Sequence, residues 1–132
     1  MPENDADPRW EAVIGWFGYK PNFHDCEVLS VELRRAPEPS AVRVHAWRTL
    51  EETEANGVFR CDRHAIVSFV LKDIVRLELR GWNHQNVLSR IHVIENPEGA
   101  ILALEDIYGV EGEIVAREIL VEIEPYSPSP HD

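Results

Sequence analysis

The feature that most constrains the fold is an alternation of apolar and polar residues that begins after Pro21 and persists almost to the end of the chain. A period of two is the signature of strands with one buried face. In Glu27-Val28-Leu29-Ser30-Val31-Glu32-Leu33-Arg34 it predicts Leu29, Val31 and Leu33 toward a core and Ser30, Glu32 and Arg34 toward water. A second strand is predicted around Val42 to Trp47. A polar loop through Glu51, Glu52, Thr53 and Glu54 then leads to the turn dipeptide Asn56-Gly57. Ala65 to Leu71 is a nearly unbroken apolar run, as in a strand covered on both faces. Asp73 is expected to mark a turn, after which Val75, Leu77 and Leu79 alternate with Arg76, Glu78 and Arg80 as far as Gly81. Further strands are expected from Val87 to Ile94 and from Ala100 to Leu104, joined through Asn96-Pro97-Glu98-Gly99 as a hairpin. The last runs from Glu113 to Glu124, with Val115, Ile119, Val121 and Ile123 inward and Glu118, Glu122 and Glu124 outward.

Before Pro21 the period is helical. Trp10, Val13, Ile14 and Phe17 stand at i, i+3, i+4 and i+7; Asp7 suits the N-cap, Pro8 the first turn and Gly18 the C-terminal stop. The expected architecture is mainly β in the α+β class. A short helix over 7–18 packs on a curved, mostly antiparallel sheet of about six to eight strands, as a sandwich or a half-barrel. The chain reads as one domain over 1–132, with a β-rich body over 24–124. A flexible start over 1–6 and a flexible tail over 126–132 flank it, the tail because Pro125, Pro128 and Pro130 prevent further ladder bonding. A core of Leu29, Val31, Val67, Phe69, Leu77, Ile91 and Val121 should need neither metal nor disulfide.

Charge narrows the partners. Twenty-four acids against thirteen bases leave a formal net charge of -11, which repels nucleic acid and anionic membrane surfaces. Between Glu95 and Glu124 there are nine acids and only Arg117 as a base, a balance that suits a basic protein partner or simply a solvated face. The chain begins without the basic and apolar run of a signal peptide, so a cytoplasmic location is expected, with Cys26 and Cys61 as free thiols.

Three local groups of residues invite a functional reading. Phe23-His24-Asp25-Cys26-Glu27 would place His24 and Cys26 on one strand face and Asp25 and Glu27 on the other, which splits any metal set. Asp25 accepting backbone N–H groups at the bend after Pro21, with His24 tied to a neighbouring strand, is the structural expectation. Gly81-Trp82-Asn83-His84-Gln85-Asn86 is either a fixed polar turn or a binding loop with Trp82 as anchor and Asn83, His84 and Gln85 as hydrogen-bonding groups. Glu105, Asp106, Glu111 and Glu113 flank Ile107-Tyr108-Gly109-Val110, as a loop that engages a basic surface or as solvated charge. No nucleophile elbow, phosphate-binding loop or zinc-protease pair is present, and neither catalytic residues, metal nor cofactor are expected.

Gly15-Trp16-Phe17-Gly18-Tyr19-Lys20-Pro21-Asn22-Phe23-His24-Asp25, followed by Glu27-Val28-Leu29-Ser30 and later by Gly81-Trp82-Asn83-His84-Gln85-Asn86-Val87-Leu88, resembles the immunity protein 50 family of bacterial polymorphic-toxin systems. The likeness runs from about Gly15 to Tyr126 and includes the aromatic segment His45-Ala46-Trp47. It departs at Cys26, where a small residue is more usual, and at Lys20, which replaces a frequent aromatic. The resemblance implies a protein that binds a cognate toxin without chemistry, and it carries no defined set of contact residues. The alternative is a small ligand-binding module or enzyme built from His24, Asp25 and the Trp82–Asn86 loop.

Overall fold

The computed structural model describes residues 7–53 and 59–127, with the side chains of 49–53 and 59–61 excepted. The expected flexible ends and the Asn56-Gly57 turn therefore lie largely outside the described residues, as does the Cys61 side chain. A single 3-10 turn, Pro8–Trp10, leads into helix α1, Glu11–Phe17. Asp7 caps the 3-10 turn by accepting from the Arg9 N–H at 3.0 Å, and Gly18 ends α1 in the left-handed conformation that an L side chain resists. Trp10, Val13 and Phe17 are buried as their spacing requires, and Ile14 packs at the margin of the core.

Six antiparallel strands follow: β1 Glu27–Glu32, β2 Ser40–Thr53, β3 Phe59–Arg80, β4 Val87–Asn96, β5 Gly99–Tyr108 and β6 Glu111–Pro125. They form one sheet in the order β1-β2-β3-β6-β5-β4 that curls until its two ends meet, so the sandwich alternative falls away. The sheet ends meet through one register pair, Glu27 with Val87. The β4–β5 hairpin turns where expected, with the Glu98 N–H donating to Asn96 Oδ1.

Two local irregularities overturn details of the sequence reading. Asp73 does not break the chain into two strands: it takes a left-handed φ of 54° inside the single long strand β3, and the register against β6 shifts between Ile74 and Arg76. A bulge of this kind bends a strand without ending it. In β1 a second irregularity falls between Val28 and Ser30, so that Val28 and not Leu29 joins the core. A one-residue slip moves every later side chain to the other face. Leu29, at the irregularity, is exposed as a result; Leu33 lies beyond the end of β1 and is exposed, Leu77 is exposed too, and only Val31 of the three expected inward residues of this segment packs against the core. The expected polar stretch Glu51 to Thr53 belongs to β2, and the expected loop at Glu105 to Tyr108 belongs to β5.

One cluster of buried residues joins helix and sheet, with Val42, Val44, Val67, Phe69, Leu88, Leu102 and Ile114 meeting Trp10, Val13 and Phe17. Trp10 sits against Phe23 and Phe69 at ring separations of 6.0 and 5.8 Å. Truncating such a buried indole costs about 3 to 5 kcal/mol, enough to threaten a domain of ordinary stability. Beyond Ala116, β6 has lost its β5 neighbour, and Pro8–Ala12 lies beside Leu120 to Glu122. Among the described residues, no helix is long and apolar enough to cross a membrane.

Candidate functional site

The two sequence motifs turn out to be the two sides of one seam. The Asp25 N–H donates to Leu88 O at 2.8 Å, the Leu88 N–H to Cys26 O at 2.8 Å, and the Val28 N–H to Asn86 O at 2.8 Å. These three bonds knit the segment before β1 to the start of β4 and close the ring. His24 adds a side-chain contact across the same line, with Nδ1 3.3 Å from Ser89 O.

Asn86 is the hub of the second motif. It is 2% exposed. Its Oδ1 accepts from the Asn83 N–H at 3.0 Å and from the Val110 N–H at 2.9 Å, and its Nδ2 donates to Asn83 O at 2.9 Å. One side chain thus satisfies three backbone groups and ties the β3–β4 loop to the β5–β6 turn. The turn residue Gly109 has φ 97°, and a Cβ there would stand 2.5 Å from Asn86 Oδ1, so the close approach requires glycine. Asn83 extends the network outward, its Nδ2 donating to the Tyr108 hydroxyl at 3.2 Å and its Oδ1 accepting from the His84 N–H at 2.7 Å. His84 in turn stands edge-on to Tyr108, with ring centroids 6.2 Å apart.

The first motif lacks the arrangement of a catalytic site. The bend is held by Asn22 rather than Asp25: Asn22 Oδ1 accepts the His24 N–H at 3.0 Å, while Asp25 takes a left-handed φ of 68° and its carboxylate faces solvent. His24 Nε2 lies 3.5 Å from Asp25 Oδ1 with both side chains exposed. Glu27 is half-buried and pairs in register with His45 and Val87. Burial, followed by the Asp25 charge, pushes the Cys26 thiol up to about 12, which leaves it protonated and unreactive at neutral pH. A hollow of about 360 Å³ opens beside this motif, lined by residues 19–26 and Trp47, and takes in no residue of the second motif. Among the described residues, no group of three His, Cys, Asp or Glu could hold a metal ion.

The four carboxylates of the third group do converge. Glu105, Asp106, Glu111 and Glu113 line one shallow hollow on β5 and β6, together with Arg80 and Ser89. Two of them are engaged within the protein: Glu105 with His92, and Glu111 with the Arg80 Nε at 2.9 Å. At the ends of the neighbouring strands Trp82, Ile107 and Tyr108 are 54%, 51% and 44% exposed. Large apolar side chains left in water beside fixed charge are a recurrent mark of a protein-binding surface.

A further cluster on β2 and β3 escaped the sequence reading. His45 Nε2 and His64 Nδ1 are 2.9 Å apart, Trp47 and Tyr126 pack on His45 at 5.1 and 4.9 Å, and the Tyr126 N–H donates to His64 O. Burial and the charge of His64 lower the pKa of His45. Beside it the Arg48 fork holds the Asp62 carboxylate through two bonds of 2.8 and 2.7 Å and depresses its pKa. Trp16 donates from Nε1 to Arg63 O at 2.8 Å and so pins the helix to this edge of β3. The signal in the sequence was the aromatic segment His45-Ala46-Trp47; the contact with His64 depends on the β2–β3 register, which lies beyond any local pattern.

Fold and seam together define a small, curled-sheet protein whose motif residues mainly hold the ring shut and present an exposed polar and aromatic rim. The family model described as Immunity protein 50 matches residues 10–126, and the chain belongs to that family. Membership suggests a role without catalysis. No curated protein matches the chain, and no solved structure does.

Proposed function

We propose that this protein neutralises a cognate bacterial toxin by direct binding, without chemistry, in the cytoplasm of the cell it protects. The observation that carries this reading is that Glu105, Asp106, Glu111 and Glu113 line one hollow while the chain segments that continue from its lining residues Arg80 and Asp106 expose Trp82, Ile107 and Tyr108. The aromatic residues supply desolvated anchors and the carboxylates steer a basic surface toward them. The Asn86 hub supports the reading because it fixes the loops that carry Trp82 and Tyr108 before any partner arrives, which lowers the entropy cost of binding. Family membership supports a toxin as the partner.

The test is surface plasmon resonance against the basic protein that co-purifies from the native cell, with association and dissociation followed separately. Changing Glu105, Glu111 and Glu113 to Gln and Asp106 to Asn together slows association by about tenfold at low salt and leaves dissociation nearly unchanged. Trp82→Ala acts the other way and shortens the lifetime of the complex. An unchanged association rate in the quadruple variant sinks the acidic hollow as the docking face.

A further inference from the structure

The ring has an unclosed margin. β2 pairs with β3 only as far as Ser40 with Leu71, whereas β6 continues along the other side of β3 to Arg80. Among the described residues, therefore, β3 from Asp73 to Arg80 has a hydrogen-bonded neighbour on one side only, and no other backbone bond reaches it. The matching margin of β6 beyond Ala116 is flanked by the helix and its preceding turn, but among the described residues no element is paired along this margin of β3. Left-handed residues at Asp73 and Gly81 bound the extended stretch Ile74 to Arg80.

A bare edge usually carries like charges or proline to repel other strands. This one carries Arg76, Leu77, Glu78 and Arg80, a pattern that complements itself when two copies run antiparallel. With Leu77 opposite Leu77 of a second copy, Arg76 lies opposite Glu78 and Glu78 opposite Arg76, while Ile74 to Arg80 overlap along their whole length. Moving the centre to Glu78 would instead oppose Glu78 to itself and Arg76 to Arg80. A centre at Leu79 would again oppose Glu78 to Arg80 but overlaps only Glu78 to Arg80 of the extended stretch, so charge and length of overlap together favour the Leu77 register. Leu77 is 40% exposed and the Glu78 side chain 84% exposed, which leaves both accessible to a partner strand.

We propose that a second copy of this chain pairs antiparallel along the free edge of β3, centred on Leu77, to make a two-fold dimer with one continuous sheet. Opposite charges directly across a ladder stabilise it and like charges destabilise it. The edge meets the acidic hollow at Arg80, but the pairing is argued from the free backbone and charge order of β3 alone, so the proposal does not rest on the toxin reading. Each chain carries a net charge of -11, and pairing must overcome that repulsion at close range.

Sedimentation velocity of the full chain at about 0.15 M salt, where the screening length is about 8 Å, tests the idea. The wild type shows concentration-dependent dimers. Glu78→Arg and Arg76→Glu, each checked for unchanged circular dichroism, each weaken self-association by about tenfold or more. An equimolar mixture of the two variants forms a heterodimer, and a chain carrying both changes dimerises as the wild type does. A wild type that stays monomeric up to about 0.5 mM overturns the proposal. So do single variants that dimerise normally, or a mixture of the two that fails to associate.

Discussion

Asn86 and Trp82 lie in one short loop and serve opposite ends, the first 2% exposed and the second 54%. The Asn86 side chain spends three of its four hydrogen-bonding positions on the backbone of its own protein, at Asn83 and Val110. Trp82 leaves much of its indole in water. The loop thus combines a rigid floor with an exposed rim, and the contrast teaches that a motif can look functional while much of it is architectural. Polar residues such as Asn and His signal a site in sequence, yet here the buried one holds the ring together and the exposed aromatic is the better candidate for contact.

The contrast is broken most sharply by Asn86→Ala. It leaves the Asn83 and Val110 N–H groups without their acceptor, at a cost of about 3 kcal/mol in urea unfolding. A loss below about 1 kcal/mol would show that water replaces the side chain and that the hub is not structural. Cys26 gives the next effect, and its sign follows from burial. The folded thiol titrates at about 12 whereas an ordinary one titrates near 9.0. The unfolded chain therefore loses a proton that the folded chain keeps, and stability falls as pH rises between those values, by at most about 1.4 kcal/mol per pH unit. Cys26→Ala removes this dependence, so the stability of the two proteins should diverge between about pH 9 and pH 11. Parallel curves would sink the assignment. At the small end stands Trp82→Ala, which should change folding stability by less than about 0.5 kcal/mol. Calorimetry that shows a large loss would make Trp82 a core residue in disguise and remove it from the rim.

These expectations also mark which parts of the molecule were legible in the sequence. The helix was, because Asp7, Pro8, the Trp10 to Phe17 stripe and Gly18 are all local signals and all agree. Ile119 and Val121 of β6 were, because their alternation is regular, and Val67 and Phe69 of β3 were, because they stand in a nearly unbroken apolar run. Leu29 was misplaced because an irregularity between Val28 and Ser30 shifts the phase without any residue that advertises it, and Leu33 because the strand ends at Glu32, one residue before it. Asp73 was taken for a turn because Asp tolerates left-handed geometry in turns and bulges alike. The seam between the two motifs and the His45–His64 contact were out of reach, since each depends on pairing between strands far apart in the chain. For the candidate site, the four carboxylates that share a hollow were named from their proximity in sequence, but their engagement with Arg80 and His92 was not foreseen.

The seam has a consequence for the order of events during synthesis. His24 and Ser89 meet across it although they stand 65 positions apart. Until β4 has emerged from the ribosome, the segment around Asp25 and Cys26 has no strand to join, and β1, β2 and β3 form at most an open sheet. Long-range closure of this kind is entropically slow, and the nascent chain displays its unsatisfied margins in the meantime. Ring closure therefore comes late, and the nascent chain keeps its open margin until Leu88 reaches Cys26.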